Sequence, residues 1–308
     1  MESIAIEAQS ERAEILPGFG CHCIAYSIGP INLIASPPSF EVLREHPHRF
    51  GIPLLFPWPG RIAHGRFDWG DHHLDLPITD PAHGHAIHGT IGAAPFAVVR
   101  RGPFYLTCEL DWSTQPDWQR RWPYPFRLAI DYEVGNGLRI QATVHNTGAE
   151  TMPFGFGLHP YFNVPLPGGT AGAARFRLPV RSRMTLDASL IPNGARTPAG
   201  PWFELGAGDF DELYSDGVSD PDGAFRAYLI DPPLRTPVRI TAGPQFSTWV
   251  GFAPPQRQVL AIEPYTCLPD AFHLSQQGVA SGLLELRPGQ TWQTAVEIGL
   301  GNPSELTA

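Results

Sequence analysis

Three stretches of this chain set ionisable side chains beside aromatic rings and turns, where proton chemistry is easily housed. The run "FGFGLHPYFNVP" holds one imidazole, His159, among Phe154, Phe156, Leu158, Tyr161 and Phe162. Histidine titrates near neutrality, so on a dry wall it is suited to giving or taking a proton. The same pattern suits a core histidine whose nitrogens find backbone partners. The run "VLAIEPYTCLPDAFHL" carries Glu263, with Asp270 soon after. On a strand, Leu260 and Ile262 face away from Ala261 and Glu263, which leaves Glu263 free to point to solvent. Pro264 follows at once and is expected to end regular pairing, which puts the carboxylate at the mouth of a sheet, well placed for a ligand. The third stretch, "GIPLLFPWPGRIAHGRFDWG" and then "AIHGT", supplies Arg61 and His88.

Other chemistries find less support. "HGHAIH" gives His83, His85 and His88, with His64, His72 and His73 nearby. A His-x-His pair on one strand face makes a metal arm. Here Pro81, Gly84 and Gly89 make the segment a loop, and no carboxylate follows at the spacing of double-stranded β-helix metal enzymes, so no metal is expected. There is no G-x-S-x-G elbow, no phosphate-cradling glycine loop and no dinucleotide fingerprint. What remains is an imidazole, a carboxylate, an arginine and many aromatic rings. Trp58, Trp249 and the Phe and Tyr residues are either stacking walls for a sugar or core.

The elements that must position these groups read as strands. "RLAIDYEV" puts Leu128, Ile130, Tyr132 and Val134 on one face, and "LRIQATV" does the same for Leu138, Ile140, Ala142 and Val144. With Gly-Asn-Gly between them, the two runs predict a β-hairpin. Further strands are expected at "FAVVRR", "FYLTCELDW", "RAYLIDP", "PVRITAG", "FSTWVGFA", "QVLAIEPY", "SGLLELRPG" and "TWQTAVEIGL". The one helix expected is short, near "SFEVLREHP". Many strands with Pro-rich connections predict an all-β fold, a large antiparallel β-sandwich formed as a single domain over residues 1–308. The long connection from Gly51 to Gly92 is expected to serve function.

Composition agrees. Charged residues are 17% and hydrophobic ones 43%, enough for a large core. The formal net charge of −9 argues against nucleic acid or an anionic membrane as partner. The basic residues are all arginine. The four cysteines, Cys21, Cys23, Cys108 and Cys267, form no CxxC pair. No apolar run approaches a membrane span, and the acidic N-terminus lacks a signal-like apolar region, so a cytoplasmic protein with reduced thiols is expected.

Taken in order, these stretches resemble the aldose 1-epimerase (galactose mutarotase-like) family. "GIPLLFPWPGRIAHGRF" is similar to its Pro-x-x-Asn-Arg-Ile-x-x-Gly segment, "AIHG" to its Leu-His-Gly, "MPFGFGLHPYFNV" to its His-Pro-Tyr-Phe strand, and "LAIEPYTCLPDAF" to its Glu-Pro…Pro-Asp-Ala strand end. The likeness runs from "GPINLIASPP" to the C-terminus. It implies the galactose mutarotase-like supersandwich, interconversion of the α and β anomers of a free aldose, and no cofactor. It places the catalytic base at Glu263, the catalytic acid at His159, and substrate-binding groups at Arg61 and His88. A family aspartate best matches Asp211 in "DFDELY", with Asp209, Asp216 and Asp231 as alternatives. Gly60 stands where the family usually has asparagine, which removes one side-chain hydrogen bond to sugar.

Mutarotation moves two protons: a base takes one from the C1 hydroxyl and an acid gives one to the ring oxygen. A carboxylate near ~4.3 is ionised at neutral pH, and a histidine near ~6.5 acts as acid if a neighbouring carboxylate holds it protonated. Two alternatives accompany this reading. A hexose-6-phosphate mutarotase needs extra cations, with Arg66, Arg100, Arg101, Arg120 and Arg121 as candidates. A non-catalytic carbohydrate-binding sandwich keeps the pocket without turnover. The expected partner is a small sugar, with the chain a monomer or homodimer.

Overall fold

The computed structural model describes residues 2–166, 173–205, 210–231, 236–255 and 258–306. The expected hairpin forms from strands Phe126–Glu133 and Leu138–Asn146, in register from Glu133 opposite Arg139 to Phe126 opposite Asn146. Its alternation is the reason. Leu128, Ile130, Tyr132, Leu138, Ile140, Ala142 and Val144 are all buried on one face, and each large apolar side chain contributes about 1.5–3 kcal/mol by leaving water. The Glu11 carboxylate accepts from the backbone N–H groups of Gly135 and Gly137, both at 2.8 Å, and so ties the turn to the N-terminal strands.

This hairpin lies in a nine-stranded antiparallel sheet whose order runs from Ala97–Arg101 at one edge to Trp202–Glu204 at the other. An eight-stranded sheet packs against it. Its central strands are Phe210–Ser215, Thr248–Ala253 and Val259–Tyr265, followed by the short strands Gly157–Leu158 and Leu54–Leu55. Side chains from both sheets share one core, with Phe176 of the first meeting Phe210 of the second at 5.4 Å. The architecture is the expected β-sandwich.

Differences from the sequence reading are local. The strands Ile4–Ala8 and Glu11–Leu16 were not expected, because acidic residues dilute their alternation. They belong to a four-stranded sheet whose Ile6, Ala13, Ile15 and Tyr26 join the main core. "SGLLELRPG" shrinks to Leu284–Leu286. The helix near "SFEVLREHP" is Phe40–Glu45, capped by Ser39, and two further short helices, Pro116–Gln119 and Ala271–Gln276, were not foreseen. Pro264 does not end pairing. It sits opposite Trp249, and the strand continues through Tyr265 opposite Thr248. The four cysteines are buried free thiols. Among the described residues no helix is long and apolar enough to cross a membrane.

Candidate active site

Period-2 geometry builds the floor of the site. Leu260 and Ile262 point into the sandwich core. Glu263 and Tyr265 point the other way, into a cavity of about 590 Å³. Asp211 and Leu213 do the same from Phe210–Ser215, and Val250 and Phe252 from Thr248–Ala253. Val250 is the register partner of both Leu213 and Glu263, so these three form one row across the sheet. The alternative in which Glu263 faces solvent is overturned: the residue is 1% exposed, because loops from residues 45–61 and 79–88 roof this face.

His159 enters from the connection between Gly157–Leu158 and Tyr161–Asn163, where its backbone N–H donates to the Pro53 carbonyl at 3.1 Å. The two glycines before it leave room for neighbouring side chains. A Cβ on Gly157 would lie 2.7 Å from Tyr265 Cδ1 and 2.8 Å from Pro59 Cβ. One on Gly155 would lie 2.3 Å from Cys267 Sγ. The imidazole stacks on Tyr161 with centroids 4.4 Å apart. Its Nε2 is 3.3 Å from Glu263 Oε1 and 3.3 Å from the Tyr161 hydroxyl oxygen. That hydroxyl donates to the His48 carbonyl at 2.7 Å, so its oxygen meets Nε2 as an acceptor. The Tyr265 hydroxyl donates to Glu263 Oε2 at 2.5 Å.

Burial governs the electrostatics. It pushes the His159 imidazole down to about 3, with His48 adding a smaller push in the same direction. It also raises the Glu263 carboxyl well above its ordinary value. The Tyr265 hydroxyl and Arg61 oppose that rise, and Asp211 adds to it. Burial raises Asp211 as well, with Arg61 working against it. Burial therefore works against the charged pair that the acid role of His159 requires. In the dry cavity the uncharged forms of both partners are favoured.

Arg61 and His88 come together because Arg61–Ile62 pairs with Ala86–Ile87. Arg61 Nε donates to Asp80 Oδ2 at 2.8 Å, and His83 Nδ1 donates to the same oxygen at 2.9 Å. His88 Nδ1 accepts from the Gly60 N–H at 3.3 Å, so the neutral ring carries its proton on Nε2. Burial holds His88 well below its usual value, with His48, His159 and Arg61 adding to the effect. Both His88 and Gly89 have positive φ, and a Cβ on Gly89 would lie 2.0 Å from the Phe56 carbonyl oxygen, so the glycine of "HG" is sterically required. Gly60 also has positive φ, with Pro269 against the place of its missing Cβ.

All five candidates, Arg61, His88, His159, Asp211 and Glu263, line this one cavity. Of the alternative aspartates, Asp216 pairs with Arg196, Asp231 accepts from the Leu166 N–H, and Asp209 lies outside the described residues. Asp270 holds the arginine loop from below: its N–H donates to the Arg61 carbonyl, and its Oδ1 accepts from the Ala63 N–H and His273 Nδ1. Trp58 and Trp249 are core residues away from the cavity, and its aromatic lining is Tyr161, Phe252 and Tyr265 instead. The histidines of the glycine-rich loop disperse to separate partners. His85 accepts from the His64 N–H, His72 meets Glu150, and His73 meets Asp68. Sequence reasoning missed Tyr161 and Tyr265, although each stands two residues beyond a named candidate and shares its face. It also missed Asp80 and His48, which no local pattern marks.

Comparison with known proteins agrees with this fold. A galactose mutarotase-like protein from Clostridium acetobutylicum superposes with a TM-score of 0.88 at 22% identity, over 97% of this chain and 95% of that one. Galactose 1-epimerase from Lactobacillus acidophilus superposes with a TM-score of 0.73 at 17% identity, over 97% and 95%. The uncharacterised protein YihR of Escherichia coli K12 is 25% identical over 237 residues, 71% of each chain. The aldose 1-epimerase family profile matches residues 27–299, a span that takes in every side chain of the cavity, and on that match the chain belongs to the aldose 1-epimerase family.

Proposed function

We propose that the protein is a mutarotase for free, uncharged aldoses, formed as one domain, with Glu263 as base and His159 as acid. One observation carries the reading: Glu263 Oε1 and His159 Nε2 stand 3.3 Å apart at the floor of the cavity. The reacting oxygens of a cyclic aldose, the C1 hydroxyl and the ring oxygen, are bonded to the same carbon. Two protein atoms this close reach both at once. Between them the pair holds one proton to lend and one lone pair to receive another. From the arrangement of carboxylate and imidazolium, Glu263 takes the C1 hydroxyl proton while the His159 imidazolium protonates the ring oxygen through Nε2–H. The C1–O5 bond opens to the aldehyde, C1 turns about its bond to C2, and the protons return as the ring closes on the other face. Each group contributes a factor of about 10²–10⁴. Arg61, His88 Nε2–H and Asp211 bind hydroxyls, and Tyr161 and Phe252 offer apolar faces to the ring.

Charge favours a neutral sugar over a phosphorylated one. Arg61 and Arg49 line the cavity against Glu45, Asp80, Asp211 and Glu263, and Arg61 is already paired with Asp80. Arg66, Arg100, Arg101, Arg120 and Arg121 are not among the lining residues. Polarimetry on freshly dissolved α-D-glucose and α-D-galactose tests the reading. The wild type is expected to accelerate the rotation change and Glu263→Gln to lose that acceleration. Acceleration confined to hexose 6-phosphates refutes the neutral-sugar reading, and a sugar that binds without acceleration refutes the enzymatic one.

A further inference from the structure

We propose that Tyr265 is a positioning residue: its hydroxyl fixes one carboxyl oxygen of Glu263, leaves the other facing His159, and biases the proton shared by the pair toward the imidazole. The inference rests on the mutarotase reading and names a residue to which the motif matches assign no role. Tyr265 stands two residues after Glu263 on the same strand, so both side chains rise from one face of the sheet. Its ring is seated by Gly157, whose missing Cβ leaves room for Cδ1. Its hydroxyl is buried and donates to Glu263 Oε2 at 2.5 Å, within the range of strong charge-assisted bonds. With Oε2 held, Oε1 alone is left at 3.3 Å from His159 Nε2.

A donor on a carboxylate stabilises the ionised form. The one-proton pair has two arrangements, carboxylate with imidazolium or carboxylic acid with neutral imidazole. Only the first has the base and the acid ready in the proposed roles. Tyr265 shifts the balance toward it, against burial. The other groups facing Glu263 are His159 and Tyr161 on its own sheet, Asp211 from Phe210–Ser215, and Arg61 and His88 from the covering loops. Of these, Arg61 favours the carboxylate and Asp211 opposes it.

The test compares full-length wild type, Tyr265→Phe, and Tyr265→Gln, which restores a donor. For Tyr265→Phe we expect kcat to fall about tenfold or more with KM within about threefold. The basic limb of the pH profile, where the pair loses its last proton, should move up by about one unit. Tyr265→Gln should recover part of both. Infrared titration of the Glu263 carboxyl band, assigned by its loss in Glu263→Gln, gives the same midpoint without any turnover. It therefore judges Tyr265 even if no sugar is turned over, the outcome that would sink the mutarotase reading alone. Should Tyr265→Phe fail to fold, fluorotyrosine placed at position 265 makes a stronger donor and must move the band midpoint down. An unmoved midpoint and an unmoved basic limb overturn the proposal, as does a kcat loss that is uniform with pH and not recovered by Tyr265→Gln.

Discussion

Replacing Gly157 by alanine should damage turnover far more than stability accounts for. The added Cβ would stand 2.7 Å from Tyr265 Cδ1 and 2.8 Å from Pro59 Cβ, whereas ordinary contact begins at 3.4 Å. The ring must give by about 0.7 Å, and it carries the hydroxyl bonded to Glu263. Overpacking a tight core costs about 1–3 kcal/mol. A catalytic group misplaced by about 1 Å loses on the order of 10²-fold, so a kcat loss of about 10–100-fold is expected here. Gly155→Ala is the matched control. Its Cβ meets Cys267 Sγ at 2.3 Å and Pro59 Cδ at 2.9 Å, so it carries a comparable steric cost without touching Tyr265. Urea unfolding gives the stability loss of each variant, and polarimetry on the folded fraction gives kcat. Equal kcat losses in the two variants, or full activity in Gly157→Ala, would refute the idea that this glycine seats the tyrosine.

Other consequences are open to direct measurement. His159→Ala should lower kcat about 10²–10⁴-fold, and full activity in that variant would remove the acid assignment. Asp80→Asn should loosen Arg61, whose Nε donates to that carboxylate, and raise KM about tenfold with a smaller change in kcat; an unchanged KM would exclude Arg61 as a sugar-binding group. Acid should weaken the fold. Burial pushes His22 and His48 down to about 4 in the native state, so the unfolded chain binds more protons between pH 6.5 and 4. Stability is full above about 6.5 and falls as pH drops through that window, by about 3–4 kcal/mol for the two groups together at pH 5. Urea midpoints at pH 7 and 5 check this, and equal midpoints would show that these rings are charged in the native state or exposed.

Much of this arrangement is legible in the sequence because sandwich strands alternate. The period that buries Leu260 and Ile262 also turns Glu263 and Tyr265 to the opposite face. The same rule does not say what covers that face, which is why Glu263 can be read as exposed until the loops over it are placed. Those loops meet the floor only in three dimensions. Asp80 reaches Arg61 across a pairing of two-residue strands, and His48 comes near His88 (centroids 5.1 Å apart) with no periodic signal in either segment. Pro264 misleads for a different reason: a missing N–H ends pairing only where the ladder needs that donor, and opposite Trp249 the strand continues without it.

The division between a paired floor and a looped wall also separates what can change easily from what cannot. Glu263 shares its strand with core residues, and slipping that strand by one position would drive the carboxylate into the sandwich and Ile262 into the cavity together. Insertions there are closed to variation. In the wall from residues 79–88, Asp80 holds Arg61 and Ala86–Ile87 pairs with Arg61–Ile62, but the turn between them at Pro81 and Ala82 carries no such double duty, and its length and side chains can drift while the floor keeps its register. Directed evolution toward a different aldose is best begun in that turn, with the strand that bears the carboxylate left untouched.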